Sequence, residues 1–361
     1  MKLSIIFTLL FLLTSYVSYA QFGNGTKSPS ATAIQIMDNV LNADAGGMFT
    51  AVVKKDFSLW VTGKQIGELE GIDGQHYLTT FKKLDENVIE VKASWSNLFF
   101  KKKDNSLWGC GSNKYGQLGN SNFTDQLTPT RIFENVKSFS VGAGHLLIIN
   151  NTNQLWAVGW NSSGQLGDGT FTNSFKPKLL LTDVAEVSAG QYQSFILKSD
   201  KSVWFCGSNL DLFTSMKPEL NTNKYVKIFD NAIGIFSGYS INSVYVLLED
   251  HSLYGWGLSF GVFFKKQAKQ QSFVKLMDDV RKISIGESQI LILKVDNSLW
   301  GSCTSINNYG LLGNGTKSKQ NDPIKLRDNI LDIHAGVYHS LIQNTNNELF
   351  ASGFNGAGGM M

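Results

Sequence analysis

One short pattern, repeated seven times along the chain, limits the fold more than any other feature. Its fullest copy is Asp104-Asn-Ser-Leu-Trp108-Gly-Cys-Gly-Ser-Asn113-Lys-Tyr-Gly116-Gln-Leu118-Gly119. The Asp/Asn-x-(Ser)-Leu-Trp part returns as Asp56–Trp60, Asn153–Trp156, Asp200–Trp204, Asp250–Tyr254, Asp296–Trp300 and Asn347–Phe350. With the aromatic as marker, at 60, 108, 156, 204, 254, 300 and 350, the steps are 48, 48, 48, 50, 46 and 50 residues. A fixed period of this length marks a repeat architecture, in which each unit buries its apolar face only against its neighbours.

The unit is clearest between Val136 and Gly169. Phe139-Ser-Val141-Gly142 leads into the apolar run Leu146–Ile149, which the polar Asn150-Asn-Thr-Asn153 ends. Leu155-Trp156-Ala-Val158-Gly159 follows, and then the Gly-rich Trp160-Asn161-Ser-Ser-Gly164-Gln-Leu166-Gly167-Asp-Gly169. Two β-type runs joined by a polar turn read as a hairpin. The glycines after it mark places of positive φ or close backbone approach. Weaker strands at Lys178–Leu181 and Val184–Val187 bring the unit to four, and no helical period survives over a useful window. A four-stranded unit of this length, repeated seven times, is a propeller blade. The chain is therefore expected to be all-β, a seven-bladed β-propeller over residues 21–361. Its two ends complement each other. The last unit stops at Ala351-Ser-Gly353-Phe-Asn355-Gly-Ala-Gly358-Gly-Met-Met361, before its final strands, while Phe22-Gly23-Asn24-Gly25-Thr26 matches Leu312-Gly313-Asn314-Gly315-Thr316 and continues through Ile34-Gln-Ile36 and Val40. One blade is expected to be closed by both termini, leaving the ring no free sheet edge.

These residues carry a resemblance. Ala335-Gly336-Val-Tyr-His339-Ser340, the Asp-x-Ser-Leu-Trp turns and Gly159-Trp-Asn161-Ser-Ser-Gly164-Gln-Leu-Gly167 resemble the repeats of the regulator of chromosome condensation family, over essentially all of residues 21–361. The resemblance implies a seven-bladed propeller and protein binding. The family includes a nuclear exchange factor for the small GTPase Ran and a secreted bacterial inhibitor of β-lactamases that works through one propeller face. Three units depart from the pattern, at Gly63-Lys-Gln-Ile-Gly67-Glu-Leu69, after Cys206-Gly-Ser-Asn209, and at Phe260-Gly-Val-Phe-Phe264-Lys-Lys-Gln, and the first, fourth and fifth blades are expected to differ on that rim.

The totals exclude several classes. With 42% hydrophobic and 12% aromatic residues the chain buries a substantial core, and a formal charge of +3 gives no strong pull toward nucleic acid or anionic membrane. At the N-terminus, Lys2, the apolar Leu3–Leu13 and the small-residue site Ser18-Tyr-Ala20 read as a cleavable export signal over residues 1–20, with a buried strand as the alternative. The apolar run is too short for a membrane span, which needs about 20 residues, and no other stretch approaches that length. The expected product is a secreted or extracytoplasmic monomer. Cys110, Cys206 and Cys303 read as buried apolar fillers, the alternative being a reactive thiol.

Strand parity puts the Ala-Gly-x-x-His turns and the Gly-rich loops on one face and the Asp-x-Ser turns on the other. The first face carries the candidate partner-binding residues Trp95, Tyr115, Trp160, Tyr192, Tyr239, Tyr338 and Phe354. Such aromatics anchor protein interfaces, although aromatics beside glycine loops also pack on the next blade. Trp60, Trp108, Trp156, Trp204 and Trp300 recur at one strand register and are expected in the core. Of the five histidines, His145 and His339 stand where Gln193 and Gln289 stand in other units, and a hydrogen bond to a neighbouring loop explains them. No metal, cofactor or nucleophile motif is visible, so no catalytic residue and no cofactor are expected. The expected function is a non-catalytic protein binder. The alternatives are a glycan-binding or cell-surface propeller, and a hydrolase or lyase with acid and base groups converging in the channel.

Overall fold

The structure, a computed structural model, describes residues 21–64, 77–208, 221–238, 243–257, 273–304 and 309–355. Among these residues there are twenty-eight strands and no helix. The strands form seven antiparallel four-stranded sheets, and the inner strand of each sheet contacts that of the next, including the seventh with the first. This is the expected seven-bladed propeller.

The phase of the repeat differs from the sequence reading. Blade 3 consists of Val136–Val141, His145–Asn150, Leu155–Gly159 and Ser174–Leu181, while Val184–Ala189 is the inner strand of blade 4. The hydrogen-bond ladder decides this, since Val141 pairs with Leu146 directly across the Gly142-Ala-Gly turn. Closure is as expected. The N-terminal strand Ser30–Met37 pairs with Leu349–Gly353 as the outer strand of blade 7, whereas Val40 already begins the inner strand of blade 1.

There is no single core. Seven apolar clusters lie among the described residues, one between each pair of adjacent blades. The strand pattern produces them: second strands such as Leu146-Leu-Ile-Ile149 are buried on both faces, because one face meets the preceding blade and the other the following one. All three cysteines are fully buried in these seams, and burial raises the Cys110 thiol to about 12.

The marker tryptophans are a correction. Trp60, Trp108, Trp156, Trp204 and Trp300 are half-buried at the edges of the seams. In blade 2 the Asp104 carboxylate accepts the Ser106 N–H at 2.9 Å and the Ser106 hydroxyl at 2.5 Å, and the Trp108 indole N–H donates to Ser106 Oγ at 2.8 Å. Asn105 between them sits at φ 61°. The Asp-x-Ser-x-Trp motif is thus a side-chain-capped hairpin turn that accommodates a left-handed residue. Blade 3 carries Gln154 where the serine stands elsewhere, and the Trp156 indole N–H lacks a partner. Ser106→Ala is expected to destabilise the fold by about 1–2 kcal/mol, read as a lower urea midpoint at unchanged slope.

Candidate functional site: the loop face

The Gly-rich loops of blades 2 and 3 are each built around one asparagine. Asn161 Oδ1 accepts the Leu166 N–H at 2.9 Å, and its Nδ2 donates to Asp168 Oδ1 at 3.0 Å and to the Thr170 carbonyl at 3.1 Å. Asn113 holds Leu118 N–H in the same way at 2.9 Å. The loops start at the inner turns, where Ser112, Trp160 and Phe354 donate their N–H groups to the carbonyls of Ser96, Gly144 and Tyr338. Turns and loops therefore share a face, as strand parity requires. Each loop also leans on the next blade. Gly116, at φ +79°, has the Phe175 Cα 2.7 Å from where a Cβ would sit, so no other residue fits there.

This architecture gathers the predicted aromatics into two groups. Tyr115 and Trp160 stack with centroids 4.6 Å apart and planes 5° apart, and Tyr192 meets Trp160 edge-on at 5.1 Å. Trp95 meets Tyr338 at 6.0 Å, and Tyr338 meets Phe354 at 6.1 Å. Trp95 and Tyr338 belong to blades 2 and 7 and meet over the Gly46-Gly47 turn of blade 1. A Cβ at Gly47 would lie 3.2 Å from the Trp95 ring. All six side chains are half-buried, each in ring contact with at least one of the others. Tyr239 lies outside the described residues, as do the divergent loop segments of blades 1, 4 and 5.

Sequence reasoning missed Tyr309, which packs on Phe354 at 4.9 Å. Its signal was available: Tyr309-Gly310 in blade 6 repeats Tyr115-Gly116 in blade 2. It also missed the most exposed large apolar side chains, which lie on the outer wall of blades 2 and 3. Leu127 is 57% exposed, and Phe123 packs edge-on against Phe175 at 5.2 Å.

The face opens into a central cavity of about 370 Å³ lined by the inner strands and turns. Alternate side chains of the inner strands, among them Asn42 and Asp44, Glu90 and Lys92, and Lys282 and Ser284, line it. Many of them tie blade to blade, with Asp44, Ser140, Ser188 and Ser284 accepting the N–H groups of Ala93, Ala189, Ser237 and Ala335 at 2.8–3.0 Å. Acid and base groups do meet in the channel. His334 lies 3.4 Å from both Asp44 and Asp332, and Lys282 pairs with Asp332. Burial opposes these charges, but the ion pair outweighs it, holding Asp332 below and His334 above their ordinary ranges. Glu186 is pushed up to about 7 by burial. Among the described residues no three of His, Cys, Asp and Glu are placed to hold a metal ion.

His145 and His339 serve the seams. His339 Nε2 lies 2.8 Å from Thr50 Oγ1, which donates to the Gln21 carbonyl at 2.6 Å; His145, Ser194 and the Gln165 carbonyl repeat this at 2.9 and 2.6 Å. Since each hydroxyl proton is committed to a carbonyl, each Nε2 carries the donated hydrogen. Burial pushes both rings down to about 4.

Two stretches, residues 104–149 and 152–197, match the family model described as the regulator of chromosome condensation (RCC1) repeat, and residues 136–165 match a second model of the same repeat. Residues 104–197 therefore carry RCC1 repeats.

Both matches fall on blades 2 to 4 of this propeller and span the Asn-centred loops of blades 2 and 3. No curated protein sequence matches the chain. Solved structures are similar over most of its length. Human WBSCR16 is 17% identical, with 91% of this chain and 89% of that one covered and a TM-score of 0.73. Prp20p from Saccharomyces cerevisiae, described with its binding properties to Gsp1p and histones, is 16% identical over 88% and 82%, with a TM-score of 0.70. Yeast RCC1 (Prp20) bound to Kap60 is 14% identical over 94% and 88%, with a TM-score of 0.72. At such identities the likeness is one of fold.

Proposed function

We propose that this RCC1-repeat chain is an exported, non-catalytic propeller that binds a partner protein through its loop face. One observation carries the reading: Tyr115, Trp160, Tyr192, Trp95, Tyr338 and Phe354 are drawn from four blades into two half-buried groups on a single face. Half-buried aromatics held by neighbours lose little side-chain freedom on binding, which is what interface anchors need. That Prp20p binds Gsp1p and histones, and that its complex with Kap60 is known, supports protein recognition by the fold. Reading residues 1–20 as an export signal goes with a partner outside the cytoplasm.

The glycan alternative has less support. Sugar stacking needs an open ring face, whereas Tyr115 and Trp160 each cover a face of the other. One observation favours catalysis, the meeting of His334 with Asp44 and Asp332 in the channel. Those groups also bond across the seams of blades 6, 7 and 1, and we read them as structural.

The test uses residues 21–361 as affinity bait in the producer's extracellular and envelope fractions, beside a Trp160→Ala, Tyr192→Ala, Tyr338→Ala variant. The variant is expected to keep its thermal transition and to bind the recovered protein at least about tenfold more weakly. Undiminished binding by a folded variant would move the site off this face. Saturable binding on a glycan array would favour the alternative.

A further inference from the structure

Among the described residues, three lysines lie over a marker tryptophan: Lys102 over Trp108 at 4.5 Å, Lys198 over Trp204 at 5.2 Å and Lys294 over Trp300 at 5.2 Å. Two of them also meet a carboxylate supplied by the preceding outer strand or the turn after it. Lys102 pairs with Asp85 at 2.8 Å, and Lys294 lies 3.9 Å from Asp279. Lys198 has no carboxylate within ion-pair reach among the described residues. The strand register gives the reason. Asp85 stands opposite Leu59 in blade 1 as Leu181 stands opposite Leu155 in blade 3. The seam between blades 3 and 4 therefore keeps the cation and the aromatic ring and has leucine where the anion would be.

That seam holds a groove of about 710 Å³ on the outer wall of the propeller. Trp204, Tyr225 and Leu179–Leu181 give it apolar walls, and Lys178, Lys198 and Lys224 stand around it. Asp168 is the one acidic residue of its lining, and its carboxylate is already committed. Asp168 Oδ1 accepts from Asn161 and from both the N–H and the hydroxyl of Thr170, while Oδ2 takes Lys178 at 2.6 Å. Three cations thus face one saturated carboxylate, so the groove is complementary to negative charge. It runs along the strands, from Thr170 and Lys224 near the loop face to Leu181 and Lys198 near the turn face.

We infer that this groove binds an extended acidic segment of a partner protein. One carboxylate sits on Lys198 as Asp85 sits on Lys102, an adjoining apolar side chain covers Trp204 and Leu180, and further carboxylates face Lys178 and Lys224. The Asp85–Lys102–Trp108 cluster is the filled form of the same site, built by the chain itself. It shows that the cation over the ring accepts a carboxylate, and the run of the groove along the strands suits an extended chain. The inference stands apart from what the loop face binds.

Fluorescence anisotropy on residues 21–361 tests it, with a labelled peptide of alternating glutamate and leucine beside one of alternating glutamine and leucine, at about 50 mM salt, where ion pairs are weakly screened. The glutamate peptide is expected to bind saturably, and the glutamine peptide at least about tenfold more weakly. Lys198→Met keeps an apolar stem over Trp204 and removes the charge; it is expected to weaken binding about fivefold or more. Lys317→Met makes the same charge change at an exposed position in blade 6 and is expected to leave binding unchanged. Leu181→Asp gives Lys198 the partner that Lys102 has, and the folded variant is expected to exclude the peptide; should it not fold, Lys198→Met decides. Absence of saturable binding, equal binding of the glutamine peptide, or equal losses from Lys198→Met and Lys317→Met would each overturn the inference. Equal competition by a thymidine oligonucleotide would overturn it too, since the groove would then read negative charge of any kind.

Discussion

Phe22→Ala is expected to cost about 3–5 kcal/mol, the largest effect of any single substitution outside the middle of a blade. Phe22 is fully buried in the seam between blades 7 and 1, packed with Val40, Val52, Leu341 and Leu349. It fills the place that Leu118 and Leu166 fill in intact loops, but nothing covalent holds it there. Its N–H bond to Asn355 spans 333 residues of sequence, so a truncated side chain leaves both a cavity and a loosened closure. Leu166→Ala, the same lesion in a covalently continuous loop, is the control. Urea denaturation of both should show the larger midpoint loss for Phe22→Ala; equal losses would mean that the divided blade is held as firmly as an intact one.

The second large effect is on acid stability. His145 and His339 are buried and neutral, with pKa values of about 4 against an ordinary 6.5. The unfolded chain therefore binds protons in a window where the folded chain does not, and stability falls as pH drops from about 6.5 to 4. At about 1.4 kcal/mol per pH unit, the displacement amounts to on the order of 3 kcal/mol for each ring. Glu186, raised to about 7, and His334, also raised, act with the opposite sign: their stabilisation is present at low pH and is lost as pH rises through the folded pKa. The wild-type profile is thus flattened, and the histidines are best isolated by difference. The double variant His145→Gln, His339→Gln uses the residue that blades 4 and 6 already carry as Gln193 and Gln289. It is expected to gain stability relative to the wild type as pH falls below 6.5. A constant gap between the two curves from pH 7 to pH 4.5 would contradict buried neutral rings.

Much of this was legible because the repeat itself carried the information. Seven aromatic markers gave the blade count, and the match of Phe22–Thr26 to Leu312–Thr316 gave the closure. The face was legible too, since two strands of opposite direction must put the loop starts at Trp160 and Phe354 beside the turns at Gly144 and Tyr338. The phase of the blade was not. Periodicity fixes the length of a unit but not where its hydrogen bonds begin, and Val184–Ala189 looks alike whether it ends one sheet or starts the next. The tryptophans misled because a large aromatic at a strand register suggests full burial, whereas Ser106 and Asp104 hold the Trp108 indole at the seam's edge. The channel ion pairs were invisible because Asp44, Lys282, Asp332 and His334 come from three blades and share no local pattern.

The division of blade 7 also sets an order in time. Strand Ser30–Met37 is made first, yet its partner Leu349–Gly353 emerges only after the strands of blades 1 to 6. Blades 1 to 6 each draw their strands from one continuous stretch and can form as they emerge. The ring cannot shut until residue 355 has appeared and found Phe22. Closing so long a loop adds only a few kcal/mol of chain entropy, so the delay comes from availability more than from search. A chain that ends early would keep an unpaired N-terminal strand and an open seam. Shutting the ring therefore distinguishes chains that have reached Asn355 from those that have not.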